Sequence, residues 1–337
     1  RAGLRGVAVR ALAAGRAASA RTRAGIVGSG LDSLPNRGFI EIETPVLQLV
    51  HGGAAARPFP THLNAFDIDM SLRIALELYL KRAVVGGVDK VFEIGRVFRN
   101  EGVDSSHSPE YTLLEAYEAF GDQHTMADLM QGVILAAADA IGSRIIDTPA
   151  GQINLDGEWR WLPVYQGLSE AVGEDVTPDT DVRTLQAIAT RRGVPVHPDW
   201  AAEKLVVELF GEIVEPTLLQ PTFVCDFPPS AQPLARPHRK DPRLIEAWDL
   251  LIGGTERGTA FSELIDPVVQ RERLTAQSMR AAAGDVEAMQ LDEDFLRALE
   301  YGAPPVGGLG LVIQRVGPLF TGPGIAPPSP VPLPSPA

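Results

Sequence analysis

VFEIGRVFRNEGVDSSHSPEYTLLEAYEAFGD, residues Val91–Asp122, is the stretch on which the reading of this chain turns. An apolar strand ends in Arg99-Asn100-Glu101, a polar turn carries Asp104 and His107, and a second alternating strand follows. Residues two apart on a strand point the same way, so Glu115 and Tyr117 share a face. A cation, an acid, a histidine, an aromatic and another acid therefore converge on one side of a hairpin. That set suits a nucleotide phosphate, a purine and an amino group. Any one of these residues alone is an ordinary hairpin surface group; the full set in this order is not.

Outward from the hairpin, strands and helices mix. Arg37–Leu49 alternates apolar and polar residues and meets Pro45, as an edge strand does. The pattern predicts a Gly/Ala loop over His51–Phe59, a strand over Asp67–Leu72 and an amphipathic helix over Arg73–Val85. Helices are expected over Thr125–Ile141, Val182–Arg192, Ala201–Ile213, Asp266–Ala283 and Asp292–Tyr301. Gln152–Trp161 reads as a hairpin turning at Asp156-Gly157, and Thr222–Phe227 as a short strand. Ala247–Ile252 and Ser262–Leu264 flank a Gly-rich loop, and Val306–Val316 is a Gly-rich strand or strand–helix junction. Gly25, Gly28, Gly30 and Pro35 interrupt any helix before residue 36. The tail from Pro318 to Ala337 is proline-dominated and expected to be extended. Hairpins among helices predict an α+β fold on an antiparallel sheet.

Composition narrows the function classes. The net charge of -13 argues against general nucleic-acid binding, because affinity for phosphates comes mainly from Lys and Arg; Arg1–Arg23 is the one obvious basic stretch. The single cysteine, Cys225, excludes an internal disulfide and reads as a small buried apolar residue. No apolar run reaches membrane-spanning length. A cytoplasmic enzyme is the expectation.

The hairpin resembles motif 2 of class II aminoacyl-tRNA synthetases, most closely the lysyl branch, and specifically the synthetase half of two-domain proteins that also make lysylphosphatidylglycerol. RGFIEIETPVL at Arg37–Leu47 resembles motif 1, with Pro45 as its proline. HGGAAARPF at His51–Phe59 and LRIALELYLKR at Leu72–Arg82 resemble lysyl-type sequences nearly throughout. So does IGGTERGTAFSEL at Ile252–Leu264. PTFVCDFPPSAQPLAR at Pro221–Arg236 and LDEDFLRALEYGAPP at Leu291–Pro305 match further blocks, and GGLGLVIQRV at Gly307–Val316 resembles motif 3. The resemblance covers roughly residues 37–316.

The resemblance implies a class II synthetase fold, a central antiparallel sheet flanked by helices, over 37–317, between an Ala/Arg-rich segment 1–36 and a Pro-rich tail 318–337. It implies a ligase of protein biosynthesis: ATP, with Mg²⁺, activates lysine to lysyl-adenylate, and tRNA takes the lysyl group. It also implies a homodimer built through the Pro45 region. By the same likeness Arg99 holds the α-phosphate and the amino-acid carboxylate, and Arg315 the γ-phosphate. Glu101 accepts from the adenine amino group, His107 reaches the distal phosphates, and Tyr111 stacks on adenine. Glu77 and Glu115 belong to the lysine site. Glu263, with Tyr117 as its hydroxyl partner, takes the side-chain ammonium, and Phe261 lines the alkyl slot. Asp249 and Glu256 are the Mg²⁺ acids. From spacing alone, Glu77 beside Arg73 and Lys81 is a surface i,i+4 ion pair, and Asp249 and Glu256 are solvated loop acids.

The chain departs from the family at several positions. Ser108 replaces an asparagine, Asp249 a glutamate and Gln232 a serine. In motif 3 a glycine is expected at Val312 and an aspartate at Gln314. A valine there crowds the adenosine pocket, and loss of the aspartate frees Arg315 from an orienting partner. These changes motivate a second expectation, a non-catalytic synthetase-like binding protein. The acceptor also stays open. About 36 residues precede motif 1, too few for the five-stranded anticodon-binding barrel, so the chain is a catalytic-domain fragment or a short paralogue. Short paralogues lysylate elongation factor P and carry a tryptophan after the position of Glu115, where this chain has Ala116. β-Lysine in place of L-lysine is also left open.

Overall fold

The fold is built on the hairpin. A computed structural model describes residues 24, 25, 27–29, 32–102 and 108–321. Strands β5 (Lys90–Phe98) and β6 (Glu110–Ala119) pair antiparallel in register from Lys90 opposite Glu118 to Phe98 opposite Glu110. Four more antiparallel strands extend the sheet: β13 (Val306–Val312), β12 (Glu256–Ser262), β11 (Ala247–Leu251) and β10 (Thr222–Cys225). Short parallel strands close both edges, β1 (Ile40–Glu41) beside β5 and β9 (Arg160–Pro163) beside β10. The expected α+β fold with a central antiparallel sheet is thus present.

Register decides what each face carries. Glu115, Gly310, Thr259 and Asp249 lie opposite one another in one row across β6, β13, β12 and β11. Two residues further along, Tyr117, Gly308 and Phe261 form a second row on the same face. The opposite face is apolar. Leu114, Ala116, Leu309, Leu311, Ala260 and Trp248 are buried there with Met126, Met130 and Ile134 of the helix Gln123–Ile141. That helix starts sharply, because Asp122 accepts from the amides of His124 and Thr125 while Thr125 Oγ1 accepts from the Asp122 amide. A second apolar cluster packs the helices Val164–Val172, Val182–Arg192 and Ala202–Ile213 beyond β9 and β10. The Val164–Val172 helix has no counterpart in the sequence reading.

Several expectations need correction. The Arg37–Leu49 strand is split between β1 and β2 (Leu47–Gln48); β2 joins a small sheet with β3 (Pro60–Leu63) and β4 (Ile68–Leu72). The helix expected from Arg73 begins at Glu77, because the Arg73 amide and carbonyl are bonded to Val46 and Phe98. The hairpin expected at Gln152–Trp161 lies one strand earlier, between β7 (Ile145–Thr148) and β8 (Gly151–Asn154). The Asp156-Gly157 turn exists, with Gly157 at φ +95°, but it sends β9 into the main sheet, where Trp159 and Trp161 stack on Phe223. The Gly-rich loop shrinks to residues 252–255, because β12 pairs with β11 from Glu256 and with β13 from Gly258. The tail is helical as far as Thr321, in the helix Ile313–Thr321, and Leu319 is buried in the main core.

The N-terminal glycines and Pro35 do not prevent a helical course over residues 24, 25, 27–29 and 32–36. Leu34 is fully buried against the main core, and that burial outweighs poor helix propensity. Leu34→Ala is therefore expected to destabilise the chain by about 2 to 5 kcal/mol. Urea unfolding followed by circular dichroism measures this, and an unchanged midpoint would contradict the packing.

Candidate active site

A cavity of about 1150 Å³ lies over the polar face of the sheet. Its floor is β13, where Gly308 and Gly310 present no side chain. A methyl group on Gly308 would sit 2.0 Å from Glu263 Oε1 and 2.5 Å from the Tyr117 ring. Glycine at 308 is thus what allows an acid and a phenol from two different strands to meet over a third.

One end of the cavity gathers acids. Glu77, Glu115 and Glu263 are each at most 5% exposed. Glu115 Oε1 accepts from the Leu76 amide at 3.1 Å, and Oε2 accepts from the Tyr117 hydroxyl at 3.0 Å. Burial, followed by the nearby Glu77 charge, pushes the Glu115 carboxyl up to about 8. Burial also raises Glu77 and lifts Glu263 well above the usual carboxylate range. The only cation among the described residues in ion-pair contact with these acids is Lys81, itself 3% exposed. Its Nζ lies 2.5 Å from Glu77 Oε1 and also pairs with Glu263 Oε2. Burial alone would lower this ammonium, but Glu263 and Glu77 outweigh it and hold it above its ordinary value. Phe261 and Phe295 flank it, with ring centroids 5.8 and 5.9 Å from Nζ. Among the described residues, nothing hydrogen-bonds Glu263 Oε1.

These contacts change two expectations. The Glu77–Lys81 pair is i,i+4 as the spacing implies, but it is buried and not a surface pair. Tyr117 donates to Glu115 rather than Glu263, although Tyr117 and Glu263 both border the space above Gly308.

The other end carries cations and a second acid group. Arg99 leaves β5 and donates from Nε to the Ile74 carbonyl at 3.3 Å, with its guanidinium 5.5 Å from the Tyr111 ring centroid. Glu101 accepts from the Arg57 amide at 3.3 Å, and the Arg57 carbonyl accepts from the Asn100 amide at 2.7 Å. The His51–Phe59 loop is thereby fastened to the hairpin. His107 lies outside the described residues.

Arg315 sits in the first turn of the helix Ile313–Thr321 and pairs with Glu256 at 2.8 Å. The departure at Gln314 therefore does not leave Arg315 without a partner. Gln314 faces β6 instead, accepting from the Thr112 amide at 3.0 Å and donating to the Thr112 hydroxyl at 3.3 Å. Val312 lines the cavity, as the sequence comparison implies. Asp249 is pushed up to about 8, first by burial and then by the charge of Glu256.

Two residues at this end have no place in the sequence reading. Glu215, in a single 3₁₀ turn at Glu215–Thr217, lines the cavity and is raised by burial and by Glu256. Buried Arg257 donates to the Ile252 carbonyl through Nε and Nη2, and to the Arg315 carbonyl at 2.6 Å through Nη1. It thereby holds the backbone from which Arg315 reaches the cavity. Burial, then Arg315, pushes the Arg257 guanidinium down to about 10. The Thr-Glu-Arg run at 255–257 was a visible signal, but nothing local pointed that arginine at residue 315.

Buried carboxylates raised by desolvation and by one another attract cations. Among the described residues, no group of three or more His, Cys, Asp or Glu is arranged to hold a metal by itself. Asp249 and Glu256 still fit Mg²⁺, because that ion takes one or two carboxylates and completes its shell with phosphate oxygens and water.

Known proteins share this arrangement's sequence. The chain is 50% identical over 322 residues to the lysylphosphatidylglycerol biosynthesis bifunctional protein LysX of Mycolicibacterium vanbaalenii, covering 94% of this chain and 29% of that protein. It is 51% identical to the LysX protein of Mycobacterium marinum over 93% of this chain, and 52% identical to that of Gordonia bronchialis over 90%. The chain spans less than a third of the length of these relatives, 29% of the Mycobacterium marinum protein and 27% of the Gordonia bronchialis one. The family of class II tRNA synthetases (D, K and N) matches residues 8–324, and the chain belongs to it.

Proposed function

We propose that this chain activates lysine with ATP to lysyl-adenylate and passes the lysyl group to tRNA. The observation that carries the reading is charge count. Three buried acids share one buried ammonium over a glycine floor, so the site carries two net negative charges once Glu115 gives up its proton. A lysine zwitterion brings two ammonium groups, and its carboxylate would turn toward Arg99. A buried acid left unpaired is costly, so substrates lacking the distal ammonium are rejected.

The second end supports the nucleotide half. Arg99 and Arg315 offer planar, always-charged donors to phosphate oxygens, and Tyr111 offers a ring face to adenine. When bound, Mg²⁺ supplies charge neutralisation of the distal phosphates at Asp249 and Glu256. Binding it would displace Glu256 from Arg315 or share it. The chain's own contribution is positioning and electrostatic stabilisation of in-line attack by the lysine carboxylate on the α-phosphate.

Assembly and acceptor follow the same reading. Exposed Ile40, Val46, Leu47 and Leu49 surround Pro45 and support a homodimer through that edge. Among the described residues no helix is long and apolar enough to cross a membrane, and the cytoplasm is the proposed compartment. The relatives are named for lysylphosphatidylglycerol biosynthesis and as bifunctional. By that likeness, the lysyl group activated here also serves a phosphatidylglycerol acceptor handled by sequence beyond the matched part.

Three outcomes test this reading. Lysine-dependent ATP–pyrophosphate exchange should be present and fall about 100-fold or more in Arg99→Ala; exchange indifferent to lysine or to Arg99 refutes it. Gly308→Ala should abolish lysine binding in calorimetry and lower the melting temperature, because its methyl group would clash with buried Glu263 and Tyr117 and force both to move. Lysine binding at neutral pH should also release protons. Glu115, protonated near pH 7 in the free site, ionises when an ammonium arrives. Calorimetry in buffers of different ionisation enthalpy measures this release, and zero net release counts against the assignment of Glu115.

A further inference from the structure

We propose that Lys81 is a specificity-determining counter-ion: its buried ammonium bridges Glu77 and Glu263 and sets the pocket at the charge that a diammonium substrate neutralises. The inference rests on the lysine reading above and adds a residue that the reading does not need for contact with substrate.

The geometry is particular. Glu77 and Lys81 are one helical turn apart, so the helix Glu77–Val85 delivers an acid and a base to the same wall. Glu263, just beyond β12, comes from the far side and gives Oε2 to that base. Its Oε1 lies buried directly over Gly308, at the cavity floor, without a hydrogen-bond partner among the described residues. Lys81 therefore occupies one oxygen of Glu263 and leaves the other for an incoming ammonium.

Charge supplies the rest. The groups facing Lys81 are Glu77 on its own helix and Glu263 beyond β12; Glu115, bonded by Tyr117 on β6, couples in turn to Glu77 and Glu263, and Arg99 acts on Glu115 from the hairpin. Phe261 and Phe295 flank Nζ and Lys81 is nearly fully buried, so solvent screens this charge little. Without it, three carboxylates would face one another in a dry space. At neutral pH Glu77 and Glu263 would then hold protons as Glu115 does, and the charge that lysine needs would be lost. Lys81 draws Glu77 and Glu263 down against their burial, and the acid limb of lysine binding lies where Lys81 sets it.

The test is lysine affinity of the full chain by calorimetry, from mildly acidic to mildly alkaline pH, for the parent, Lys81→Met and Lys81→Arg. ATP affinity is measured beside it. The expected result is a loss of roughly tenfold or more in lysine affinity at neutral pH for Lys81→Met, with its acid limb moved to higher pH and ATP affinity unchanged. Lys81→Arg should keep the limb near that of the parent. Parent-like affinity and limb in Lys81→Met overturn the proposal, as does equal loss of lysine and ATP binding. If Lys81→Met alone does not fold, Lys81→Met/Glu263→Gln removes one charge of each sign and should fold; failure of both overturns the charge-balance argument. If the parent itself binds no lysine, the proposed function fails, and this inference fails with it. If the parent binds lysine and Lys81→Met binds it equally well, only this inference fails.

Discussion

Three carboxylates held together out of water are the constraint around which the site is arranged. Glu77, Glu115 and Glu263 come from a helix, a strand and the end of another strand, and each pays desolvation on burial. One ammonium, a phenol and a backbone amide hold them in place: Lys81, Tyr117 and the Leu76 amide. Such a cluster is poor as a stability device, because apolar residues of the same volume would pack there at lower cost. It makes sense as a site that is complete only when further positive charge arrives.

The surrounding fold serves that arrangement. Glu93, in the same transverse row as Glu115, is bonded by Arg73 at 2.6 Å and by the Thr44 amide and hydroxyl. Arg73 also donates to the Thr44 and Arg96 carbonyls. The segment before Pro45, the start of the Glu77–Val85 helix and the hairpin are thus tied through one buried arginine. The edge proposed for dimerisation and the acid wall share these anchors.

At the arginine end of the cavity, the Gln314 departure is absorbed differently from what its chemistry suggests in isolation. Gln314 turns to β6 and satisfies the Thr112 amide and hydroxyl. Arg315 is aimed by Glu256 on its side chain and by Arg257 on its carbonyl. The orienting function that an aspartate at 314 would provide is thereby divided among other residues. This favours the ligase reading over a purely binding one, and it joins Arg315 and the acid proposed for Mg²⁺ in one ion pair.

The sequence by itself determined the hairpin, the antiparallel sheet, the family and most of the cavity's chemical groups. Those signals are local: alternation over β5 and β6, residue types at fixed offsets, and glycines where a strand must stay bare. It could not determine which charges meet. Lys81 and Glu263, Arg315 and Glu256, and Arg257 and the Arg315 carbonyl are far apart in the chain and are joined only by sheet order and register. The same limit hid the burial of Leu34, where tertiary packing overrode glycine and proline, and the helix through Pro318 that buries Leu319. It also hid the burial of the Glu77–Lys81 pair. Helical spacing says that two residues are neighbours, but only the packing of the sheet against that helix decides whether water lies between them and their surroundings.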